Sequence, residues 1–201
     1  MSPAPRLASC FLLSFFLASG LFLRGDSSLF SNDLISDTCS DCSESNPNVD
    51  YGFCVASFES YPQSDQADDL TELGRISIYI LMENVTGTRD FVNGILENES
   101  LDHYVQGCLE DCSELYSDSI PTLADAAEAY DEGRYKDANI YLSSVMDASS
   151  TCEEGFAEKE GTGNSPMEKR NDNVFSLGAI SLSIMSELRR RRLPNQEATS
   201  Y

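Results

Sequence analysis

Apolar side chains recur every three or four residues along most of the chain, which is the spacing of amphipathic helices. The clearest run predicts one helix of about thirty residues, roughly 45 Å long. Pro121 falls inside this run and predicts a kink, because proline lacks the backbone N–H and crowds the preceding turn. Gly133 follows as the predicted C-terminal cap. The apolar positions of the run are Leu101, Tyr104, Val105, Cys108, Cys112, Leu115, Tyr116, Ile120, Leu123, Ala127 and Tyr130.

A second helical run precedes this one. It extends from Ala67 to about Asn84, and Ser64 or Asp65 is placed to cap its first turn. Gly87 predicts a weak break, after which the helical spacing resumes.

Two further runs follow Gly133. The first predicts a return helix over 135–156, and the second predicts a last helix over 174–188, with a Gly-rich linker at 161–166 between them. The last helix ends in four consecutive arginines, 189–192. Cations suit the negative end of a helix dipole. A basic patch for an anionic partner is the alternative interpretation of the same four residues.

Two short helical segments around a Pro/Asn break at 46–48 predict an N-terminal hairpin. No stretch alternates apolar and polar residues over a useful length, so no sheet is predicted. The predicted fold class is all-α. We expect a hairpin over 29–60, an up-and-down four-helix bundle over 61–193, and a polar tail over 194–201.

The first 28 residues have the pattern of a secretory signal peptide. Arg6 is basic, the stretch from Leu7 to Leu23 is largely apolar, and small residues follow. A signal anchor is the alternative, but no second apolar run of membrane length follows. We therefore expect a secreted protein that is free of the membrane after cleavage.

Removal of the signal peptide also removes Cys10 and leaves six cysteines. An even number in a secreted chain predicts three disulfides, although six cysteines allow 15 pairings. Four of them, at 39, 42, 108 and 112, could instead be drawn as a zinc site, but secretion and the even count favour disulfides. The six are Cys39, Cys42, Cys54, Cys108, Cys112 and Cys152.

Two glycosylation sequons agree with secretion. They begin at Asn84 (Asn-Val-Thr) and at Asn98 (Asn-Glu-Ser).

The charge of the chain is strongly negative. It has 34 acidic and 13 basic side chains, a formal net charge of −21. Such a charge repels nucleic acid and polyanionic polysaccharides and favours basic partners. Nucleic acid is therefore excluded as an expected partner.

The sequence offers no pattern of catalytic residues. Its one histidine, His103, has no nucleophile motif around it, and neither a phosphate loop nor a glycine fingerprint is present. We expect a protein that is not an enzyme and that uses no metal and no cofactor.

From about Ser31 to Leu188 the chain resembles the plant invertase/pectin methylesterase inhibitor family. The resemblance implies disulfides Cys39–Cys54 and Cys112–Cys152, and the remaining Cys42 and Cys108 are then expected to pair with each other. The motifs that carry it are Leu34-Ile35-x3-Cys39, Tyr51-x-Phe53-Cys54-Val55, Asp111-Cys112-x-Glu114-Leu115-Tyr116-Ser117-Asp118, Gly133-Arg-Tyr135-x-Asp137-Ala138-Asn139 and Thr151-Cys152-Glu153-x-Gly155-Phe156.

The resemblance also implies a function. Members of this family bind one secreted carbohydrate-active enzyme per inhibitor in the plant cell wall, or apoplast, and block its cleft. Pectin methylesterase is the expected partner here, and acid invertase, of the cell wall or the vacuole, is the alternative.

Family inhibitors of invertase present a Pro-Lys-Phe motif at the turn before the return helix, where this chain has Gly133-Arg134-Tyr135. Arg134, Tyr135 and Lys136 are therefore candidate contacts with the target enzyme. The alternative is a solvated turn with Tyr135 packed into the core.

An alternative from another class is a secreted helical bundle that carries a ligand or a signal and does not inhibit. An internal apolar cavity would favour a carrier, whereas a filled core would favour an inhibitor.

Overall fold

The computed structural model describes residues 27–98, 100–158 and 165–197. The predicted signal peptide, apart from its last two residues, lies outside this part of the chain, as do 161–164 of the predicted linker and the last residues of the polar tail. No helix of the described residues has the length and apolar character needed to span a membrane.

The described residues form an all-α fold, as predicted. Helices α3 to α6 form the bundle: α3 and α5 each pack against both α4 and α6, which is the neighbour pattern of an up-and-down bundle. Helices α1 and α2 form the N-terminal hairpin. The helices are α1 (Ser27–Ser45), α2 (Tyr51–Glu59), a short 3-10 helix (Pro62–Gln66), α3 (Leu70–Leu96), α4 (His103–Asp131), α5 (Tyr135–Ala157) and α6 (Glu168–Glu197).

Aspartates cap α2, α3 and α4. The carboxylate of Asp69 accepts hydrogen bonds from the backbone N–H groups of Thr71 and Glu72, at 2.7 and 2.9 Å, and so begins α3. The prediction of Ser64 or Asp65 as the cap is wrong, because both lie in the preceding 3-10 helix.

Helix α3 is continuous, so the predicted break at Gly87 is wrong as well. A glycine inside a helix costs about 1 kcal/mol relative to alanine. The buried face of α3 outweighs that cost, since Leu81, Val85 and Val92 are fully enclosed on both sides of Gly87.

The turn between α4 and α5 is built on Gly133, which has a φ of +72° and confirms the predicted C-terminal cap. The N–H of Arg134 donates to the carbonyl of Ala129 at 2.8 Å, and that of Gly133 to the carbonyl of Tyr130 at 2.9 Å. These two bonds form a Schellman motif, which satisfies carbonyls at the end of α4. Pro121 lies inside α4, as predicted, and the helix continues through it.

Two buried disulfides staple the fold. Cys39–Cys54 joins α1 to α2, and Cys112–Cys152 joins α4 to α5. The paired cysteines are separated by 15 and 40 positions in the sequence, and the two bonds contribute about 3 and about 4 kcal/mol in the chain-entropy description.

The predicted third disulfide, between Cys42 and Cys108, is wrong: both residues are buried free thiols. Cys42 lies beside Leu70, at the start of α3. Cys108 lies at the other end of the bundle, because Ser113, about one turn further along α4, hydrogen-bonds Asn93 near the end of α3. The length of α3 between Leu70 and Asn93 corresponds to roughly 35 Å, whereas a disulfide needs Cα atoms less than about 7 Å apart.

The core between the bundle helices is closely packed. A Cβ atom added to Gly74 would lie 2.2 Å from the hydroxyl oxygen of Tyr130, and one added to Gly178 would lie 2.4 Å from Cγ of Met146. Such contacts leave no room for even a methyl group at either crossing. At these two crossings the bundle has no internal cavity of the kind that a ligand carrier needs.

Candidate functional site

The aromatic residue of the α4–α5 turn is buried. Tyr135 is only 4% exposed, and its ring packs 5.2 Å from the ring of Tyr130, centroid to centroid. Arg192 of α6 covers the other side: its guanidinium lies 4.5 Å from the ring centroid of Tyr135, and its Nη2 donates to the Tyr135 hydroxyl at 2.9 Å. Tyr135 therefore belongs to the packing of the bundle end and is not presented to a partner.

Arg134 is exposed but engaged by two carboxylates. Its Nη1 donates to Asp137 at 2.7 Å and its Nε donates to Glu132 at 2.6 Å. The hydrogen bonds to Asp137 and then to Glu132 raise the pKa of the guanidinium above its usual value. The pair of carboxylates holds Arg134 against the turn, and 45% of its side chain remains exposed.

Lys136 is exposed on the first turn of α5. Within the described part of the chain it forms no ion pair. Its ammonium is therefore available to an external anion.

An open cleft of about 490 Å³ lies at this end of the bundle. Four cationic side chains and one carboxylate line it, on a chain whose net charge is −21. The structure thus joins the basic turn to part of the arginine run of α6, and Tyr135 and Arg192, which meet there, are 57 residues apart in the sequence. The lining residues are Gly133, Arg134, Tyr135, Lys136, Asp137, Arg189 and Arg192; we call this feature the basic cleft.

The other two arginines of the run point elsewhere. Arg190 and Arg191 both form ion pairs with the carboxylate of Glu187, and Nε of Arg191 lies 2.8 Å from its Oε1. The hydrogen bond from Arg191, together with the positive charge of Arg190, lowers the pKa of Glu187. The arginine run is therefore divided between two faces of α6, which residue order alone does not reveal.

A polar network inside the bundle was not predicted from the sequence. The hydroxyl of Tyr116 on α4 donates to Asn171 of α6, whose Nδ2 donates to Glu153 of α5 at 2.7 Å. Burial raises the pKa of Tyr116, so the hydroxyl stays protonated and remains a donor. The sequence signal for it is that Glu153 directly follows Cys152, which is bonded to Cys112 in the core.

This network borders an open acidic cleft of about 280 Å³ between α5 and α6. The lining residues are Ser149, Ser150, Glu153, Glu154, Asn171, Asp172 and Phe175. The molecule therefore presents a basic end and an acidic side to a partner.

The two sequons differ in structure. Asn98 is exposed beyond the end of α3, and its side-chain oxygen accepts a hydrogen bond from the backbone N–H of Ser100 at 3.0 Å. Asn84 lies inside α3, half-buried, with its Oδ1 enclosed. A glycan on Asn98 would extend directly into solvent, whereas the packing around Asn84 within α3 restricts access to its side-chain amide.

His103 is the exposed first residue of α4, next to the capping Asp102.

Comparison with known families matches residues 33–184 to the family described as plant invertase/pectin methylesterase inhibitor.

Among the curated relatives, some are named as inhibitors of invertase and others as inhibitors of pectinesterase. A protein of Platanus orientalis named "Putative invertase inhibitor" is 36% identical over 156 residues, which cover 78% of this chain and 90% of that protein. The pectinesterase inhibitor of Actinidia deliciosa is 35% identical over 137 residues, covering 68% of each chain. The cell wall / vacuolar inhibitor of fructosidase 2 of Arabidopsis thaliana is 29% identical and covers 55% of this chain and 61% of that protein.

The fold also matches solved structures. The crystal structure of a mutant form of a pectin methylesterase inhibitor from Arabidopsis covers 75% of this chain and 96% of its own, with a TM-score of 0.63 and 18% sequence identity. At that identity the match establishes the fold and does not identify the target.

Proposed function

The chain belongs to the plant invertase/pectin methylesterase inhibitor family, and from that premise we propose that it inhibits pectin methylesterase. Family membership makes it an inhibitor that binds an enzyme, and not an enzyme itself. The choice between the two target enzymes depends on the geometry of the α4–α5 turn.

The buried position of Tyr135 is the observation that carries this choice. An inhibitor that inserts this turn into a sugar site needs an exposed aromatic or apolar side chain there. In this chain the aromatic ring is 4% exposed and lies between Tyr130 and Arg192, and a glycine stands where the family's invertase inhibitors have proline. An inserted plug would have to break these contacts, which disfavours invertase as the target.

Invertase remains the second candidate. The two Platanus relatives, each 36% identical, have names that point to invertase inhibition. Arg134 and Lys136 are exposed at the turn and could contact carboxylates at an invertase cleft.

We propose that the α4–α5 turn contacts the target enzyme through its charged side chains and not through the aromatic ring of Tyr135. Arg134 and Lys136 are the proposed contacts, and Tyr135 sets their position from the core. The complex is proposed to be 1:1, since the chain presents a single α4–α5 turn.

The protein is proposed to act in the cell wall after removal of residues 1–28. Two buried disulfides support an oxidising compartment. Asn98 is the better placed of the two proposed glycosylation sites.

The test is a pair of titrations. The mature chain, beginning after residue 28 and refolded with its two disulfides, is titrated against a pectin methylesterase and against a cell-wall invertase under the same conditions. The proposal requires loss of pectin methylesterase activity with an end point at one inhibitor per enzyme. Loss of invertase activity alone would transfer the assignment to the second candidate.

A further inference from the structure

The basic cleft contains more positive charge than a structural turn requires. Its four cationic side chains come from two segments, 134–136 and 189–192, which meet only in the folded chain. Like charges gathered at one place repel each other. Asp137, which lines the cleft, and Glu132 beside it both pair with Arg134, so the other three cations have no carboxylate partner among the described residues.

We propose that the basic cleft binds the carboxylate groups of an acidic oligosaccharide. This role goes beyond enzyme inhibition, because the site holds the inhibitor to a polyuronate chain, although Lys136 is common to it and to the proposed enzyme contact. That the carboxylates belong to a sugar polymer rests on the proposed function. The charge and the shape of the site are observed independently of that function.

The four cations have different roles. Arg134 is held by Glu132 and Asp137, and the guanidinium of Arg192 stacks on Tyr135, so both are fixed in place. Lys136 and Arg189 are exposed and have no ion-pair partner among the described residues. They are therefore the two side chains free to take up a carboxylate, with Arg192 adding charge beside them.

The shape of the cleft favours a thin chain over a flat protein surface. Its volume of about 490 Å³ falls in the range of about 300–1,000 Å³ found for small-molecule sites. The cleft is open, so a polymer can pass through it without an end having to enter.

The chemistry of the proposed target supplies the ligand. Hydrolysis of a methyl ester on pectin leaves a free carboxylate on the sugar, so the polymer around that enzyme carries the group that the cleft fits. The net charge of −21 repels the same polymer from the rest of the surface. Contact is thereby confined to the basic end of the bundle, and it should weaken as salt screens the charges.

Binding is measured by calorimetry on the mature chain with no enzyme present, with a short, fully de-esterified oligogalacturonate as the probe. The variant K136A/R189A removes the two free cations. The matched control R190A/R191A removes two charges from the same helix end, where both arginines are paired with Glu187 outside the cleft. All four side chains are exposed, so both variants should fold, and circular dichroism checks this.

The proposal predicts that K136A/R189A weakens binding by roughly tenfold or more, as expected for the loss of charged hydrogen bonds. The control should change it less than about threefold, because pairing leaves its charges little free to act. The methyl-esterified oligosaccharide should not bind.

Three results would overturn the proposal: no binding of the de-esterified probe, equal loss in the two variants, or equal binding of a poly-glutamate peptide. The last would assign the cleft to acidic protein surfaces. The outcome is separate from inhibition. A chain that inhibits pectin methylesterase but does not bind the probe overturns only the cleft, and one that binds but does not inhibit overturns only the proposed function.

Discussion

Arg192 covers Tyr135: its guanidinium lies 4.5 Å from the ring centroid and donates to the hydroxyl at 2.9 Å. This contact joins the C-terminal part of α6 to the first residue of α5. It buries the aromatic ring that a plug-like turn would expose, and it places one cation at the edge of the basic cleft.

Replacing Arg192 by alanine should lower the free energy of unfolding by about 1–2 kcal/mol. The reason is the loss of a cation–π contact and of one hydrogen bond. The free energy is measured by urea unfolding of the mature chain. R191A is the control, because Arg191 is exposed and its ion pair with Glu187 is the one it forms among the described residues, so its loss should cost less than about 0.5 kcal/mol. Equal effects of the two variants would mean that the contact with Tyr135 does not stabilise the fold.

Replacing Gly133 by alanine should destabilise the protein by at least about 1 kcal/mol. Its φ of +72° disfavours any residue with a Cβ, and a Cβ would also lie 2.9 Å from Nη1 of Arg192. The same substitution at Gly87 is the control. A Cβ there would lie more than 4 Å from every described atom outside the adjacent backbone of α3, so G87A should stabilise α3 by about 0.5–1 kcal/mol. A loss of stability in G87A would contradict the continuous α3.

Cys42 and Cys108 should be found as two thiols that resist alkylation in the native protein. Burial, with the nearby charges of Asp41 and Glu187, raises the pKa of Cys42 to about 12. Because the thiolate is the reactive form, Cys42 should be unreactive at neutral pH. Mass spectrometry after alkylation should show no label on the folded chain and two labels in denaturant. A peptide that links Cys42 to Cys108 would contradict the structure.

Asn98 should carry a glycan when the full chain is expressed in a plant secretory system, and Asn84 should carry little or none. The variants N98Q and N84Q, analysed by electrophoresis before and after treatment with a glycosidase, separate the two sites. N98Q should remove most of the mobility shift, whereas N84Q should leave it unchanged. The reverse pattern would mean that α3 does not restrict access to Asn84.

The elements that repeat a local pattern could be predicted from the sequence. The apolar spacing of α4 fixed its length to within a few residues, and Gly133 marked its end because only a residue without a Cβ suits that backbone. The pairings Cys39–Cys54 and Cys112–Cys152 followed from a family resemblance and not from spacing.

The features that depend on position within the bundle could not be predicted. Cys42 on α1 lies beside the start of α3, and Cys108 on α4 lies beside its end. The sequence does not reveal this distance, so the expectation that the two remaining cysteines pair with each other is wrong. Neither does it reveal that Arg192 turns toward Tyr135 while Arg191 turns toward Glu187. Adjacent residues on a helix point about 100° apart, and only packing decides which neighbour each one meets.

The central claim is inhibition of pectin methylesterase, and the most direct test adds the variant R134A/K136A to the two titrations. The account predicts that the mature chain abolishes pectin methylesterase activity at one inhibitor per enzyme, leaves cell-wall invertase active, and inhibits at least about tenfold more weakly when Arg134 and Lys136 are removed. Inhibition of invertase with no effect on pectin methylesterase would contradict it.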